Sequence, residues 1–224
     1  DMKLMPDLDS GNLDPFYSEN TYCLHCNVVE PETGKLYGRD PRSTAIKAEE
    51  YLKKTKIGTK AFFGPEAEFF LFDDVKFSNA MNKVGFEVDA IDAAWNTDTS
   101  YEMGNMGHRP GVKGGYFPVN PTDAGQDIRS EMLSTMKRMG MKVDKHHHEV
   151  ASCQHELGLV FDSLKVQADN LQKYKYVIQN VAHSYGKSAT FIPKPVANDN
   201  GTGMHINMSI WNNNTPVFSG KEYA

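Results

Sequence analysis

The chain has 224 residues, 39% of them hydrophobic, which suffices for one good-sized domain or for one domain and a fragment. A formal charge of −5 and an isoelectric point near 5.9 give no sign of a basic surface, so nucleic acid is not an expected partner. The sequence has no apolar run of about 18 residues, so no membrane span is predicted, and it has no signal-peptide pattern. Three cysteines do not indicate a disulfide scaffold, and we expect a cytoplasmic protein. Because the chain starts without Met and ends without a closing element, we expect a piece of a longer protein.

Residues 1–38 have the pattern of short strands and turns, with a strand from Thr21 to Val29. Cys23, His25 and Cys26 invite comparison with a zinc site. A structural zinc site needs four ligands, usually from two such pairs, and the sequence has no second pair. On a strand, Cys23 and Cys26 would also point to opposite sides. The sequence therefore does not favour a metal at this position.

A helix is predicted next, with Asp40 as its N-cap, Pro41 at its first position and Gly58 near its end. The stretch from Gly64 to Asp73 then reads as a strand. Glu66 and Glu68 fall on the same face of that strand, roughly 6–7 Å apart. Buried carboxylates need a cation, a metal or a proton. The alternative is an exposed strand end whose carboxylates pair with nearby Lys or Arg.

Residues 79–118 lack a sustained period, which is typical of a functional lid or a disordered segment, although Val84–Asp89 could form a strand within them. A second amphipathic helix is predicted from Thr122 to Met139. Asp123 would cap this helix and Gly140 would end it.

Val143 to Val150 reads as a strand, Ala151 to Gln154 as a turn, and His155 to Phe161 as a return strand. Alternation places His147 and Glu149 on one face. The return strand can bring Glu156 to that face as well, although the sequence leaves the register of the turn open. A third helix is predicted from Ser163 to Tyr185, with Gly186 ending it.

The last strand predicted runs from Met204 to Trp211 and alternates cleanly. The apolar side chains would face a core, and the polar side chains would face the other side. The apolar set is Met204, Ile206, Met208 and Ile210, and the polar set is His205, Asn207 and Ser209. The glycine-rich loop at residues 198–203 could wrap a ligand.

The polar faces of these strands collect four carboxylates and one imidazole: Glu66, Glu68, Glu149, Glu156 and His205. Four carboxylates turned toward one volume repel each other unless cations lie between them. A carboxylate-rich set with few imidazoles suits Mg²⁺ or Mn²⁺ better than zinc. Two such ions are what phosphoryl transfer from ATP requires. The alternative is a sheet surface with scattered salt bridges.

Five motifs in order resemble glutamine synthetase of the prokaryotic type I family. They are residues 64–70 (GPEAEFF), residues 113–117 (KGGYF), residues 146–151 (HHHEVA), Glu156, and residues 200–205 (NGTGMH). The resemblance runs from Asp1 to Ala224 and covers the middle of the family's chain. It implies an α+β fold: residues 1–38 would end an N-terminal β-grasp domain, and residues 39–224 would begin a catalytic domain with a largely antiparallel curved sheet flanked by helices.

The resemblance also implies an ATP-dependent ligase that joins ammonia to glutamate through γ-glutamyl phosphate, with two divalent ions, Mg²⁺ or Mn²⁺. By motif, Glu68, Glu149 and Glu156 would hold one ion, and Glu66 and His205 would hold the ion that bridges the ATP phosphates. Asn200 and Gly201 would bind glutamate, and Tyr116 would lie at the ammonium site. The positions matched to the nucleotide are Asp144, Phe161, Asn207 and Ser209. Asn207 and Asp144 differ from some relatives, which carry His and Glu there, but both keep hydrogen-bonding capacity.

Members of this family form ring-shaped homo-oligomers in which a neighbouring subunit's N-terminal domain completes each active site. The loop that supplies the ammonia-deprotonating Asp would precede Asp1, so the chain by itself is predicted to be inactive. Two alternatives stay open. One is a related ligase that uses another amine as acceptor, and the other is a non-catalytic structural relative.

Overall fold

The computed structural model describes residues 1–96 and 107–221. Its N-terminal part forms two small antiparallel strand pairs. In these pairs β1 (Lys3–Pro6) joins β4 (Cys26–Val29), and β2 (Asn12–Leu13) joins β3 (Tyr22–Cys23). The predicted single strand from Thr21 to Val29 was wrong, because the backbone of His25 bonds elsewhere. Its N–H donates to Ser10 Oγ at 2.8 Å and its carbonyl accepts from the Asp7 N–H at 2.9 Å.

The first helix, α1 (Pro41–Thr55), begins as predicted. The Asp40 side chain accepts from the Ser43 N–H at 2.9 Å, which satisfies one of the free amides at the helix start. The helix ends earlier than predicted, since Lys56, and not Gly58, takes the left-handed conformation with φ of 61°. The long strand β5 (Lys60–Phe72) follows; it includes the predicted strand except for Asp73, and it begins four residues earlier.

A hairpin of β6 (Asp74–Ala80) and β7 (Lys83–Asp89) comes next. The predicted strand at Val84–Asp89 is confirmed, and it pairs in full register with β6. The expectation of a segment without regular structure was therefore wrong for residues 79–89. Residues 97–106 of that segment lie outside the described residues.

The second helix, α2 (Gln126–Arg138), starts later than predicted, with Gly125 at its N-cap. Asp123 is not the cap. Its carboxylate forms a buried ion pair with the Arg129 guanidinium inside the helix, and that partner outweighs the local capping role. Gly140 follows the helix with φ of 85°, as its predicted role requires.

The remaining elements are β8 (Val143–His148), β9 (Gln154–Leu159), α3 (Leu164–Ser184), β10 (Ser188–Thr190), β11 (Met204–Asn212) and β12 (Thr215–Pro216). Together with β5, the strands form an antiparallel sheet in the order β12-β11-β5-β9-β8, and β10 pairs with the far end of β5. The expected α+β fold with a largely antiparallel sheet and flanking helices is confirmed. No helix in the described residues is both long and apolar enough to span a bilayer.

The main core lies between one face of this sheet and the helices α2 and α3. Phe69 from β5, Leu157 from β9, Met132 from α2 and Ile178 from α3 are fully buried there. Tyr174 of α3 adds a polar tie, because its hydroxyl donates to the Ala67 carbonyl at 2.6 Å and accepts from the Leu157 N–H at 3.2 Å. The hydroxyl thus bridges β5 and β9 next to the last paired residues of the two strands.

The apolar face of β11 corrects a prediction. Met204, Ile206 and Met208 share one face as expected, but they are 47%, 49% and 59% exposed. They do not face a core within the described residues, since α2 and α3 pack behind β5 and β8 instead. Alternation identifies which side chains share a face, but not what covers that face.

Candidate active site

The register of three strands gathers the predicted site residues on the sheet face opposite the helices. Glu66 and Glu68 lie two residues apart on β5 and therefore point the same way. Glu156 on β9 is directly opposite Glu68, and His205 on β11 is directly opposite Glu66. Directly paired residues of antiparallel strands share a face. These four side chains therefore belong to one surface.

The fifth residue, Glu149, directly follows β8. His147 is directly opposite Glu156, and Glu149 follows two residues later. His147 Nε2 donates to Glu149 Oε1 at 2.8 Å, and the Val150 N–H donates to Glu149 Oε2 at 3.0 Å. Ligand-type atoms of His147, Glu149 and Glu156 all lie within 4.8 Å of one another. The structure thus brings all five predicted residues to one face.

These carboxylates perturb one another. Burial raises the pKa of Glu156, His147 lowers it in part, and the charges of Glu66, Glu149 and Glu68 raise it again. Burial also raises the pKa of Glu149, but hydrogen bonds from His147 and Val150 more than offset this, so its pKa falls below the ordinary value. In residues 1–96 and 107–221, no Lys or Arg forms a salt bridge with the four carboxylates. The structure therefore does not support the alternative in which Lys and Arg side chains neutralise these four carboxylates.

A buried polar layer supports Glu149 from behind. His148 Nε2 lies 2.7 Å from Asp92 Oδ2, and its Nδ1 lies 2.6 Å from the Glu149 carbonyl oxygen. Both partners are acceptors, so a doubly protonated imidazolium satisfies both contacts. Burial lowers the pKa of His148, but the hydrogen bond to Asp92, the charge of Asp92 and the hydrogen bond to the Glu149 carbonyl together raise it by more. The backbone at Glu149 is therefore anchored through a buried ion pair.

Asp92, His148 and His155 lie close enough together to suggest a metal site of their own. The contacts of these groups indicate otherwise. The Asp92 carboxylate already accepts from His148 and from the Cys153 N–H at 3.1 Å, and His155 Nδ1 lies 2.9 Å from the Arg129 guanidinium. A guanidinium at this distance disfavours a second cation. This triad is better described as internal support for the face that carries Glu149 and Glu156.

The loop before α2 covers one side of the site. Phe117 stacks flat on the His147 ring, with centroids 4.4 Å apart and planes 7° apart, and Tyr116 meets the same ring edge-on at 5.8 Å. Tyr116 is 60% exposed. The Phe117 N–H donates to the His148 carbonyl at 3.3 Å, which ties the loop to β8. Tyr116, the residue predicted at the ammonium site, thus lies beside His147, which is hydrogen-bonded to Glu149.

The two residues predicted to bind glutamate lie on the glycine-rich loop before β11. Asn200 Oδ1 accepts from Lys113 Nζ at 3.3 Å, and the Gly201 carbonyl accepts from Gln154 Nε2 at 2.9 Å. Gln154 also donates to Glu68 Oε2 at 2.5 Å. Sequence reasoning assigned no role to Gln154, His147 or Phe117. One sequence feature could have identified His147 as a site residue. It is the strand alternation, which places His147 and Glu149 on one face.

The four positions matched to the nucleotide continue along the same face. Phe161 and Asn207 flank Gly64 of β5, where a Cβ would lie 3.7 and 3.8 Å from their Cβ atoms. Ser209 is opposite Phe62 on β5, and its Oγ accepts from Trp211 Nε1 at 3.0 Å. Asp144 lies at a register shift in β8, facing Gly158 of β9. The predicted nucleotide residues therefore border the carboxylate cluster rather than overlap it.

Comparison with known proteins places this arrangement in context. The family described as "Glutamine synthetase, catalytic domain" matches residues 38–224. A glutamine synthetase of Rhodobacter capsulatus is 66% identical over 224 residues, which is 100% of this chain and 51% of that protein. A glutamine synthetase of Salmonella typhimurium is 52% identical over 225 aligned residues, covering 100% of this chain and 48% of that protein.

A solved structure has a similar fold. The cryo-EM structure of Plasmodium falciparum glutamine synthetase superposes with a TM-score of 0.89 at 29% identity, covering 99% of this chain and 43% of that one. The chain thus spans about half the length of the curated relatives it matches.

Proposed function

The chain belongs to the glutamine synthetase family, and from this premise we propose that the protein containing it ligates ammonia to glutamate, using ATP. The reaction would proceed by phosphoryl transfer to the glutamate side-chain carboxylate, followed by attack of ammonia on γ-glutamyl phosphate. The observation that carries this proposal is the register that sets Glu68 against Glu156 and Glu66 against His205 on one face.

The donor set fits two divalent cations. Glu68, Glu149 and Glu156 would hold one ion, and Glu66 and His205 would contribute to the second. Carboxylate oxygens with one imidazole suit Mg²⁺ or Mn²⁺. Burial and, to a smaller extent, the neighbouring carboxylates raise the pKa of Glu156, and bound cations would offset this negative charge. When bound, the ions would neutralise charge on the transferring phosphoryl group.

The chain's own residues would orient the substrates around this cluster. Asn200 and Gly201 would bind glutamate, and their loop is held against Glu68. Tyr116, together with Glu149, would border the ammonium position. Asp144, Phe161, Asn207 and Ser209 would surround the nucleotide, with the exposed Phe161 ring available for stacking on a base.

The wider organisation of the protein is also part of the proposal. Residues 1–38 would end an N-terminal domain, and residues 39–224 would begin the catalytic domain. The complete protein would act in the cytoplasm as a ring-shaped homo-oligomer whose subunits share active sites. The chain by itself would then be inactive, because a neighbouring subunit would supply part of the site.

Phosphate release from ATP tests the reaction, measured on a polypeptide of the family's full length that contains this chain. Release should require both glutamate and ammonium, and Glu68→Ala should abolish it. Glu87→Ala, at an exposed position on β7, should leave it intact. Release with another amine but not with ammonium would instead indicate an amine ligase. No release from a correctly assembled protein would refute the proposal in favour of a structural relative.

A further inference from the structure

Gln154 occupies a buried position between two parts of the candidate site. It is the first residue of β9, is 1% exposed and lies directly opposite Phe70 of β5. It precedes Glu156 by two residues, so its side chain points to the carboxylate face. A fully buried amide must satisfy its donors and its acceptor within the protein.

The hydrogen bonds of Gln154 fix the orientation of its amide. Nε2 donates to Glu68 Oε2 at 2.5 Å and to the Gly201 carbonyl at 2.9 Å, while Oε1 accepts from the Ala151 N–H at 3.2 Å. Rotating the amide by half a turn would set an oxygen against two acceptors and an NH₂ group against a donor. Only one of the two orientations is therefore compatible with the neighbours.

The bonds made by Gln154 belong to a larger connection between Glu68 and the glycine-rich loop. The Gly203 N–H donates to Glu68 Oε2 at 2.9 Å, and the Glu68 N–H donates to the Gly203 carbonyl at 3.0 Å. Within the described residues, the Gln154 side chain and the Gly203 backbone N–H both donate to Oε2 of Glu68, so Oε1 is the oxygen that remains for a cation. A Cβ on Gly201 would lie 2.7 Å from the Pro193 carbonyl, so the loop is also tightly packed from behind.

We propose that Gln154 is a positioning residue that holds the Glu68 carboxylate and the Gly201 carbonyl in a fixed mutual arrangement, and so couples the cation cluster to the loop that binds glutamate. This inference rests on the proposed function. The coupling acts through a neutral amide that contacts both groups at once. Losing it should loosen the loop and weaken glutamate binding more than ATP binding, since the nucleotide positions lie further along β5 and β11.

The test compares Gln154→Met and Gln154→Glu with the unmodified full-length polypeptide. The first keeps the length of the side chain but removes both donors. The second keeps the shape of the side chain but sets a carboxylate against two acceptors. We expect the KM for glutamate to rise about tenfold or more, corresponding to one lost hydrogen bond to a charged group, while the KM for ATP changes less than about twofold. The second variant should be the more severe.

Hydrogen exchange provides a readout that does not depend on activity. In metal-free protein, the Gly203 amide should exchange about tenfold faster in either variant, while amides of α3 keep their protection. Gln167→Met is the matched control. It removes a buried glutamine whose Nε2 donates to the Val160 carbonyl at 2.6 Å, so it should lower stability without changing the KM for glutamate.

The outcomes separate the two proposals. Equal rises in both KM values, or unchanged loop exchange in a folded variant, would overturn the role of Gln154. If the unmodified protein releases no phosphate in response to glutamate and ammonium, the proposed function fails, and the exchange of Gly203 still decides whether Gln154 holds the loop. Should Gln154→Met not fold, the isosteric Gln154→Glu carries the same test.

Discussion

Glu68 on β5 and Glu156 on β9 are directly paired across an antiparallel ladder, so two carboxylates face each other on one surface of the sheet. Like charges in this arrangement destabilise a strand pair, by up to roughly 1 kcal/mol. The Glu66 and Glu149 carboxylates lie on the same surface and also raise the pKa of Glu156. The cluster therefore opposes folding unless cations offset its charge.

Removing one of these charges should have opposite effects with and without metal. We expect Glu156→Gln to raise the free energy of unfolding in EDTA by about 1 kcal/mol, because it relieves the repulsion. The same substitution should reduce the stabilisation that Mn²⁺ gives, because a ligand with lower affinity for the folded protein stabilises it less. Thermal unfolding in EDTA and in Mn²⁺ measures both effects. Glu87→Gln on the exposed hairpin is the control, and an equal Mn²⁺ shift in both variants would contradict the metal assignment.

Gly115 packs too closely against the site to accept a side chain. A Cβ there would lie 2.4 Å from the Glu149 carbonyl and 2.6 Å from His148 Cε1. Gly115→Ala should therefore displace the loop or the Glu149 backbone, lowering phosphate release at least about tenfold with a smaller loss of stability. Gly111→Ala serves as the control, because a Cβ added at Gly111 would meet no described atom within 4 Å. Equal activity of the two variants would show that this contact is unimportant.

The Tyr174 hydroxyl joins β5 to β9 where their ladder ends. Tyr174→Phe would leave the Ala67 carbonyl and the Leu157 N–H without this partner inside the core. Unsatisfied buried groups cost about 1–3 kcal/mol, so we expect a loss of this size in urea denaturation. Tyr185→Phe, which removes an exposed hydroxyl bonded to Glu131, should change stability by less than about 0.5 kcal/mol. Similar losses in both variants would argue against a bridging role.

Acid should weaken the attachment of the N-terminal segment. Hydrogen bonds from Lys165 and Arg42 hold the pKa of Asp7 well below its usual range. A carboxyl with a depressed folded-state pKa contributes stability above its unfolded pKa of about 3.9, and this contribution is lost as the pH falls toward the folded value. Asp7→Asn should therefore be less stable than the unmodified protein at pH 7 and should lose less stability between about pH 4.5 and pH 2. Denaturant titrations across this pH range measure the stability of each variant, with Asp9→Asn at an exposed position as the control. Parallel curves of stability against pH for Asp7→Asn and the unmodified protein would contradict the prediction.

The parts of the site that the sequence predicted depend on strand geometry alone. Glu66 and Glu68, like His147 and Glu149, share a face because strand side chains alternate, whatever the strand pairs with. Strand alternation alone does not predict the position of Glu156, which also depends on the turn between β8 and β9. The turn before β9 places Cys153 in the left-handed region with φ of 66°, and this turn sets His147 opposite Glu156. Sequence alone left that register open.

The failures involve partners that are distant in the sequence or in space. Asp123 has the pattern of an N-cap, but Arg129 competes for it in the folded core. Gln154 gave no signal, because its two acceptors, Glu68 and Gly201, come from segments far before and far after it. Periodicity identified the apolar face of β11 without showing how that face is covered. Local sequence patterns thus predicted the helices and strands well. The partners of individual side chains depend on contacts between distant residues, which those patterns do not show.

The pairing of β5 with β11 has a consequence for the order of events during synthesis. Glu149 and Glu156 are separated by a short turn and can meet as soon as that hairpin forms. Glu66 leaves the ribosome early, yet its partner His205 arrives only after α2, β8, β9 and α3 have been made. Contacts between such distant segments form late and slowly. A nascent chain would therefore bring Glu149 and Glu156 together before Glu66 and His205 can meet.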